Sequence, residues 1–343
     1  MRKIKIIGTG SYFPGESIDN DELINLAKIS FDKEKIENVI GIKKRYIAKL
    51  RNIDETTADF AEKAGLCAIK NAGIKKEEID LIIVATDTPE FISPATAILV
   101  QGRIQGYQGS TMVFDIGASC ASFVTAFDVA ARMMKSNPNI RYSLIIGVYN
   151  MTNYVRDNDA FGWSIFADGA GAFLLGDSDK FNINLKNQII SDFIDSEFVS
   201  DGTQWNYIGV YAGGTRKKIT KEILESGNYG LELIQRLPPD RNIKLWPPLV
   251  QDLCKKTHNN LEDINYFVFT QINKSVIIEV MKILNQPIEK AIMVMDKYGY
   301  TGSACIPTAF HEAIIEGKIK RGDKILFCAS GAGLSVGANL FIY

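Results

Sequence analysis

Apolar runs of strand length alternate with amphipathic helical stretches along the whole chain, the pattern of an α/β fold. Glu78–Thr86 reads as a buried strand after an acidic helix end, and Asp263–Gln271 repeats that arrangement. Ser119–Phe127 is matched by Gly302–Phe310 through a shared Thr-Ala-Phe, a register that sets Ser303, and not Cys305, opposite Cys120. Ser143–Gly147 parallels Lys324–Cys328, and each leads to a glycine-rich strand, at Asp168–Leu175 and Gly331–Phe341. These matches in one order predict an internal repeat of strand–helix–strand–helix–hairpin about a pseudo-twofold axis. The two most apolar helices, led by Cys120 and Ser303, would lie between two sheets.

On this reading residues 1–180 form an N-terminal half carrying Cys120. Residues 181–245 form a connector and cap, with Gly213-Gly214, Pro238-Pro239 and Pro247-Pro248 in or beside it. Residues 246–343 form the C-terminal half. The segment Asp168-Gly-Ala-Gly-Ala lacks the GxGxxG spacing of a dinucleotide loop and runs into a strand rather than a helix, so it is a tight turn between packed sheets.

The charge balance, 39 basic against 40 acidic residues, carries no nucleic-acid signal. No apolar run reaches membrane-spanning length, and Met1–Gly8 is too short and charged for a signal peptide. Cysteines 67, 120, 254, 305 and 328 are odd in number and form no CxxC pair, so reduced thiols in a cytoplasmic protein, with no metal site, are expected.

Cys120 lies in a small-residue turn, Asp115–Phe123, that opens a helical pattern running to about Met134. Backbone N–H groups and the helix dipole at such an N-terminus favour a thiolate nucleophile. The chain has only two histidines, and neither stands where a base for Cys120 is expected. His258 reads as a solvated helix end and His311 as a surface position in mid-helix. The other four cysteines read as core or helix packing.

Ile40–Ala48, Ser93–Ala97, the Cys120 turn, Phe166–Ala172 and Gly317–Asp323, in this order and spacing, give the chain a resemblance to 3-oxoacyl-[acyl-carrier-protein] synthase III over essentially its whole length. The resemblance implies a thiolase-like fold: two pseudo-symmetric α/β halves forming a five-layered αβαβα sandwich. It also implies a homodimer, or a heterodimer with a related synthase. In that family a cysteine takes an acyl group from coenzyme A or an acyl carrier protein. A histidine and an asparagine then hold a malonyl thioester while it loses carbon dioxide.

Those two partners are replaced here. The histidine string reads Thr270-Gln-Ile-Asn, ending at Asn273, and the asparagine turn reads Gly299-Tyr-Thr-Gly, which puts Tyr300 at the asparagine position. Threonine donates one hydrogen bond but cannot become cationic. Losing one oxyanion donor typically costs on the order of 10²–10³ in turnover. Malonyl decarboxylation should therefore be weak or absent, whereas acyl loading on Cys120 needs only a thiolate and an oxyanion hole. The resemblance places that hole at the backbone N–H groups of Cys120 and Ala332, the latter standing where the family has glycine.

Coenzyme A contacts implied by the resemblance are also changed: Lys35 replaces a tryptophan, Lys43 an arginine, and Phe161 another arginine. Lys43, Arg45 and Asn273 are the candidate residues for the phosphopantetheine thioester, and Lys43, Lys44, Arg45, Lys217, Lys218 and Lys255 the candidate docking charges for an acyl carrier protein. The expected function is an acyltransferase that carries its acyl group on Cys120, with no permanently bound cofactor, in fatty-acid-like or specialised acyl biosynthesis. The alternative is a catalytically silent subunit paired with an active synthase, and a third reading is a condensing enzyme that works slowly through Cys120 alone.

Overall fold

The computed structural model describes residues 2–106, 108–177 and 191–343, and the repeat is laid out in them element by element. The first half runs β1 (Ile4–Tyr12), α1 (Thr57–Ala72), β2 (Leu81–Ala85), α2 (Thr96–Gln105), β3 (Met112–Ile116), α3 (Ser122–Ser136), β4 (Tyr142–Tyr149) and β5 (Gly169–Asp177). The second runs β6 (Asp192–Ser200), α4 (Arg241–Lys256), β7 (Tyr266–Phe269), α5 (Lys274–Ile283), β8 (Ala291–Ile292), α6 (Cys305–Ile315), β9 (Lys324–Gly331) and β10 (Ser335–Ile342). Each half builds one sheet, in the orders β1-β5-β4-β2-β3 and β6-β10-β9-β7-β8. The two orders are the same.

Pairing follows the repeat as well. β2 is parallel to β3 and β4, and β7 is parallel to β8 and β9. The glycine-rich strands β5 and β10 run antiparallel to their neighbours on both sides. Strand β2 is apolar throughout because both its faces are covered. Leu81, Ile83 and Ala85 enter the core between the sheets, while Ile82 and Val84 meet Ala61, Ala64, Val100 and Ile104 of α1 and α2.

Helices α3 and α6 fill the space between the sheets. α3 buries Phe123, Val124, Phe127, Ala130, Ala131 and Met134, and α6 buries Cys305 to His311 continuously. A helix apolar on nearly every side belongs in such an interior. With α1 and α2 outside one sheet and α4 and α5 outside the other, the layers are α, β, α, β, α. Ends are locally coded: Thr56 and Asp59 form a capping box on α1, and Gly73 closes it at a φ of +69°.

Two expectations about the connector need correction. The second half begins before residue 246, because β6 pairs along the length of β10. Asp192, Asp195 and Glu197 interrupt its apolar pattern and hide the strand. Pro247 and Pro248 lie inside α4, where the burial of Trp246, Leu249, Val250 and Leu253 outweighs the helix-breaking signal. Residues 181–190 of the expected connector lie outside the described residues.

His311 is not at the surface. It is 5% exposed, with Nδ1 2.8 Å from the Thr9 hydroxyl of β1, because α6 is buried without a break from Cys305 to His311. Burial lowers its pKa, so it is a neutral core residue far from the role of a base. His258 is exposed just beyond α4. Cys254, Cys305 and Cys328 are buried and Cys67 is half-buried.

Candidate active site

Ser119–Ala121 makes one 3-10 turn leading into α3, and Gly302–Ala304 makes its counterpart leading into α6. Ser119 and Gly302 share a φ of +48°. Cys120 and Ser303 are therefore equivalent in position, as the Thr-Ala-Phe register requires. A serine in the left-handed region is strained, and the neighbouring contacts hold it there. Ser122 Oγ accepts from the Ala118 N–H at 2.8 Å and donates to the Ser119 carbonyl at 2.6 Å. Gly331 must be glycine, since a Cβ there would run into the Ala118 carbonyl.

Cys120 is half-buried. Its thiol is pushed up by burial first and by the Asp87 charge second, while the Tyr300 phenol and the Arg241 charge pull the other way. The expectation of a resting thiolate is thus corrected: the helix N-terminus is outweighed and the thiol is neutral at rest. A proton must leave it when an acyl group arrives.

Tyr300 is 1% exposed and pinned by its backbone, donating to the Ile165 carbonyl at 3.1 Å and accepting from the Ala167 N–H at 2.9 Å. Its phenol faces Cys120, and burial holds its pKa well above the ordinary value, so it stays protonated. Thr270 follows β7 and is buried, with Oγ1 accepting from the Ser330 N–H at 3.0 Å. Behind it, Ser330 Oγ donates to Asn242 Oδ1 at 2.9 Å and accepts from the Trp246 indole. Ala332 sits in the turn after β9, beside the Gly331–Ala118 contact. Positive φ falls on Gly333, at +120°, and not on Ala332. The alanine fits there without left-handed strain.

The structure therefore brings Cys120, Tyr300, Thr270 and Ala332 to one end of the inner layer. The candidate ligand residues divide. Lys43 and Lys44 are exposed and line a surface depression with Tyr46, Asp296 and Lys297. Arg45 is 0% exposed and donates to Asn20 Oδ1 at 2.7 Å and the Ser164 carbonyl at 3.0 Å. It cannot reach a carrier protein, so its assignment as a ligand or docking charge is withdrawn. Asn273 caps α5, with Oδ1 taken by Ser275 and Val276. Lys218 and Lys255 are exposed, and Lys217 lies 3.7 Å from Glu232. Phe161 packs edge-on against Phe166.

Three residues near Cys120 escaped the sequence reading. Asp87 follows β2, and its charge reaches Cys120, Tyr149 and Tyr154. An acid directly after a parallel strand was the available signal, since open α/β sheets place their sites at strand carboxyl ends. Tyr149 ends β4 with its ring 6.2 Å from Tyr300. Arg241 starts α4 with Nη1 buried and unpartnered, its charge felt at Cys120 and Tyr300. No spacing pointed to it.

Asp168 has a structural part: its carboxylate accepts from Ala48 N–H at 3.0 Å and Thr152 Oγ1 at 2.6 Å, and burial raises its pKa to about 7. Among the described residues, no group of three or more His, Cys, Asp or Glu could hold a metal ion. Among the described residues, no helix is long and apolar enough to cross a membrane.

Comparison with known proteins agrees with this geometry. Residues 114–201 match the model of 3-oxoacyl-[acyl-carrier-protein] synthase III, and residues 254–343 match the model of its C-terminal part. Beta-ketoacyl-[acyl-carrier-protein] synthase III of Aliarcobacter butzleri is 34% identical, over 97% of this chain and 95% of its own. The synthase III of Clostridioides difficile is 33% identical over 98% of each chain. The crystal structure of 3-oxoacyl-[acyl-carrier-protein] synthase III from Aquifex aeolicus superposes with a TM-score of 0.82 at 31% identity, over 99% of this chain and all of that one. From the nucleophile turn to the last hairpin, the chain belongs to the 3-oxoacyl-[acyl-carrier-protein] synthase III family of acyl-transferring synthases.

Proposed function

We propose that Cys120 takes an acyl group from a phosphopantetheine thioester, on coenzyme A or an acyl carrier protein, and passes it to an acceptor with little or no malonyl decarboxylation. One observation carries this reading. The buried Tyr300 phenol faces the nucleophile itself, and the Thr270 hydroxyl accepts from the Ser330 backbone. Neither side chain can become the cation that a histidine supplies.

Loading remains supported. The Cys120 sulfur bonds to the thioester carbon as the donor's carbon–sulfur bond breaks, and the thiol proton passes to the departing phosphopantetheine sulfur. The Tyr300 phenol and Arg241 charge favour the sulfur anion. The backbone N–H groups of Cys120 and Ala332 are the proposed oxyanion donors. Lys43 and Lys44, exposed beside Tyr46, are the proposed contacts for the thioester's anionic end. The product would enter fatty-acid-like or specialised acyl biosynthesis.

A dimer is part of this proposal. β3 is a sheet edge, with Met112 exposed, and the loop before α2 exposes Phe91 and Ile92, the latter 86%. An open edge flanked by apolar side chains supports pairing with a second copy or a related synthase. Intact-protein mass spectrometry after incubation with acyl-coenzyme A and acyl carrier protein tests the loading step. An acyl increment that disappears in Cys120→Ala supports the acyltransferase; no increment with any donor favours the silent subunit.

A further inference from the structure

Asp87 is the one carboxyl whose charge acts on Cys120 among the causes just given, and nothing in the loading step uses it. Its position is built rather than incidental. It occupies the middle of a turn after β2, flanked by Thr86 and Thr88. The Thr86 N–H donates to the Ile116 carbonyl at 3.1 Å, continuing the β2–β3 pairing. The Thr88 N–H donates to Thr86 Oγ1 at 3.0 Å, and Thr88 Oγ1 accepts from the Asn150 N–H at 3.0 Å. The Thr88 carbonyl accepts from Thr57 Oγ1 at 2.7 Å. Four hydrogen bonds to the flanking residues thus hold the turn that carries Asp87.

The carboxyl stands beside Ser119, the residue before the nucleophile, whose hydroxyl favours its charged form. Its oxygen Oδ1 is shielded from solvent and has no partner. A shielded carboxylate oxygen without a donor costs free energy unless something fills it. What would fill it is a proton donor brought by a ligand at Cys120.

The sign of the charge narrows the ligand. Malonyl decarboxylation builds an enolate near the nucleophile, and a fixed carboxylate there opposes that charge. A neutral O–H or N–H nucleophile has the opposite need, since it must lose a proton as it attacks. We infer that Asp87 is the general base for acyl transfer from Cys120 to a neutral acceptor carrying a hydroxyl or amine. This rests on the acyl-Cys120 reading above and adds the class of acceptor.

In the step, the acceptor heteroatom bonds to the acyl carbon and the carbon–sulfur bond of the thioester breaks. The acceptor proton moves to Asp87 and then to the departing Cys120 sulfur. Product and free thiol result, the carboxylate is restored, and no oxidant or reductant is needed. Burial raises the Asp87 pKa to about 6, close to where a base works best near neutral pH. The titratable groups that face it are Cys120, Tyr149 and Tyr154, each pushed up by burial, so in this set Asp87 alone titrates between pH 5 and 8.

The test starts from acyl-enzyme isolated after loading with acyl-coenzyme A and follows its decay by intact mass, normalised to the loaded fraction. Glycerol serves as an acceptor that needs a base and hydroxylamine as one that needs little. The expected result is a wild-type decay to glycerol that rises with pH through about 6. In Asp87→Asn that decay falls by about 10²-fold or more and loses its pH dependence, hydroxylamine decay changes far less, and Asp87→Glu recovers part of the glycerol rate. Equal decay of wild type and Asp87→Asn, or equal slowing toward both acceptors, overturns the inference while leaving acyl loading intact. Failure of the wild type to load overturns the acyl-Cys120 reading itself, and this inference with it.

Discussion

The Tyr300 phenol faces the Cys120 sulfur and favours its anion, in a site where burial keeps that phenol protonated. On the proposed reading, the phenol supports the sulfur anion from the position where the family's asparagine would hold a malonyl thioester. Tyr300→Phe keeps the ring packed against Tyr149 and Phe166 but removes the hydroxyl. Cys120 should then alkylate with iodoacetamide about tenfold more slowly at pH 8, the size of one hydrogen bond to a charged group. An unchanged labelling rate would remove the phenol from the account.

Restoring the two family residues tests what their replacement did. The double substitution Thr270→His with Tyr300→Asn should raise malonyl-dependent carbon dioxide release on the order of 10²–10³-fold over wild type. Either single substitution should recover much less, because groups acting as a unit are not additive. Release already at full rate in the wild type would contradict the reading of both residues.

Gly331→Ala tests the close approach of β9 to the nucleophile turn. A Cβ at Gly331 meets the Ala118 carbonyl, so the turn must shift to admit it. The expected cost is about 1–3 kcal/mol of stability with a larger loss of acyl loading. Denaturant melts and loading rates on the same sample separate the two effects.

Asp87 also predicts a pH effect on stability. Burial raises its pKa in the fold to about 6, above the unfolded value, so its contribution is fully present below the unfolded pKa and is lost as pH rises through about 6. Between pH 5 and pH 8 the wild type should therefore lose stability that Asp87→Asn does not lose. The difference is on the order of 2 kcal/mol. Urea denaturation at the two pH values would show it, and parallel behaviour of wild type and variant would contradict the burial of a charged Asp87.

Much of this architecture was legible because buried parallel strands are apolar on both faces and their repeat survives as a pattern. The Thr-Ala-Phe register placed Cys120 and Ser303 on equivalent turns, and Ser119 and Gly302 carry that equivalence into a shared φ of +48°. β6 was hidden, since its acids face charged partners: Asp195 meets Arg132 at 2.5 Å and Lys256 at 3.2 Å. A histidine in mid-helix signals a surface, whereas α6 is buried on every side as far as His311.

The site was legible only where a motif fixed it. Cys120, Thr270 and Tyr300 stood in recognisable strings, but Asp87, Tyr149 and Arg241 reach the sulfur from three separate elements. Such convergence leaves no trace in local spacing. The thiolate expectation failed for the same reason: a helix N-terminus is visible in sequence, while desolvation and a facing carboxylate are not.

The most direct test of the central claim is an intact-mass time course of acylated Cys120 after malonyl-acyl carrier protein is added. The account predicts an acyl increment, absent from Cys120→Ala, that persists through the malonyl challenge. An increment that never forms, or one that malonyl consumes as fast as in the Aliarcobacter butzleri synthase run alongside, would contradict it.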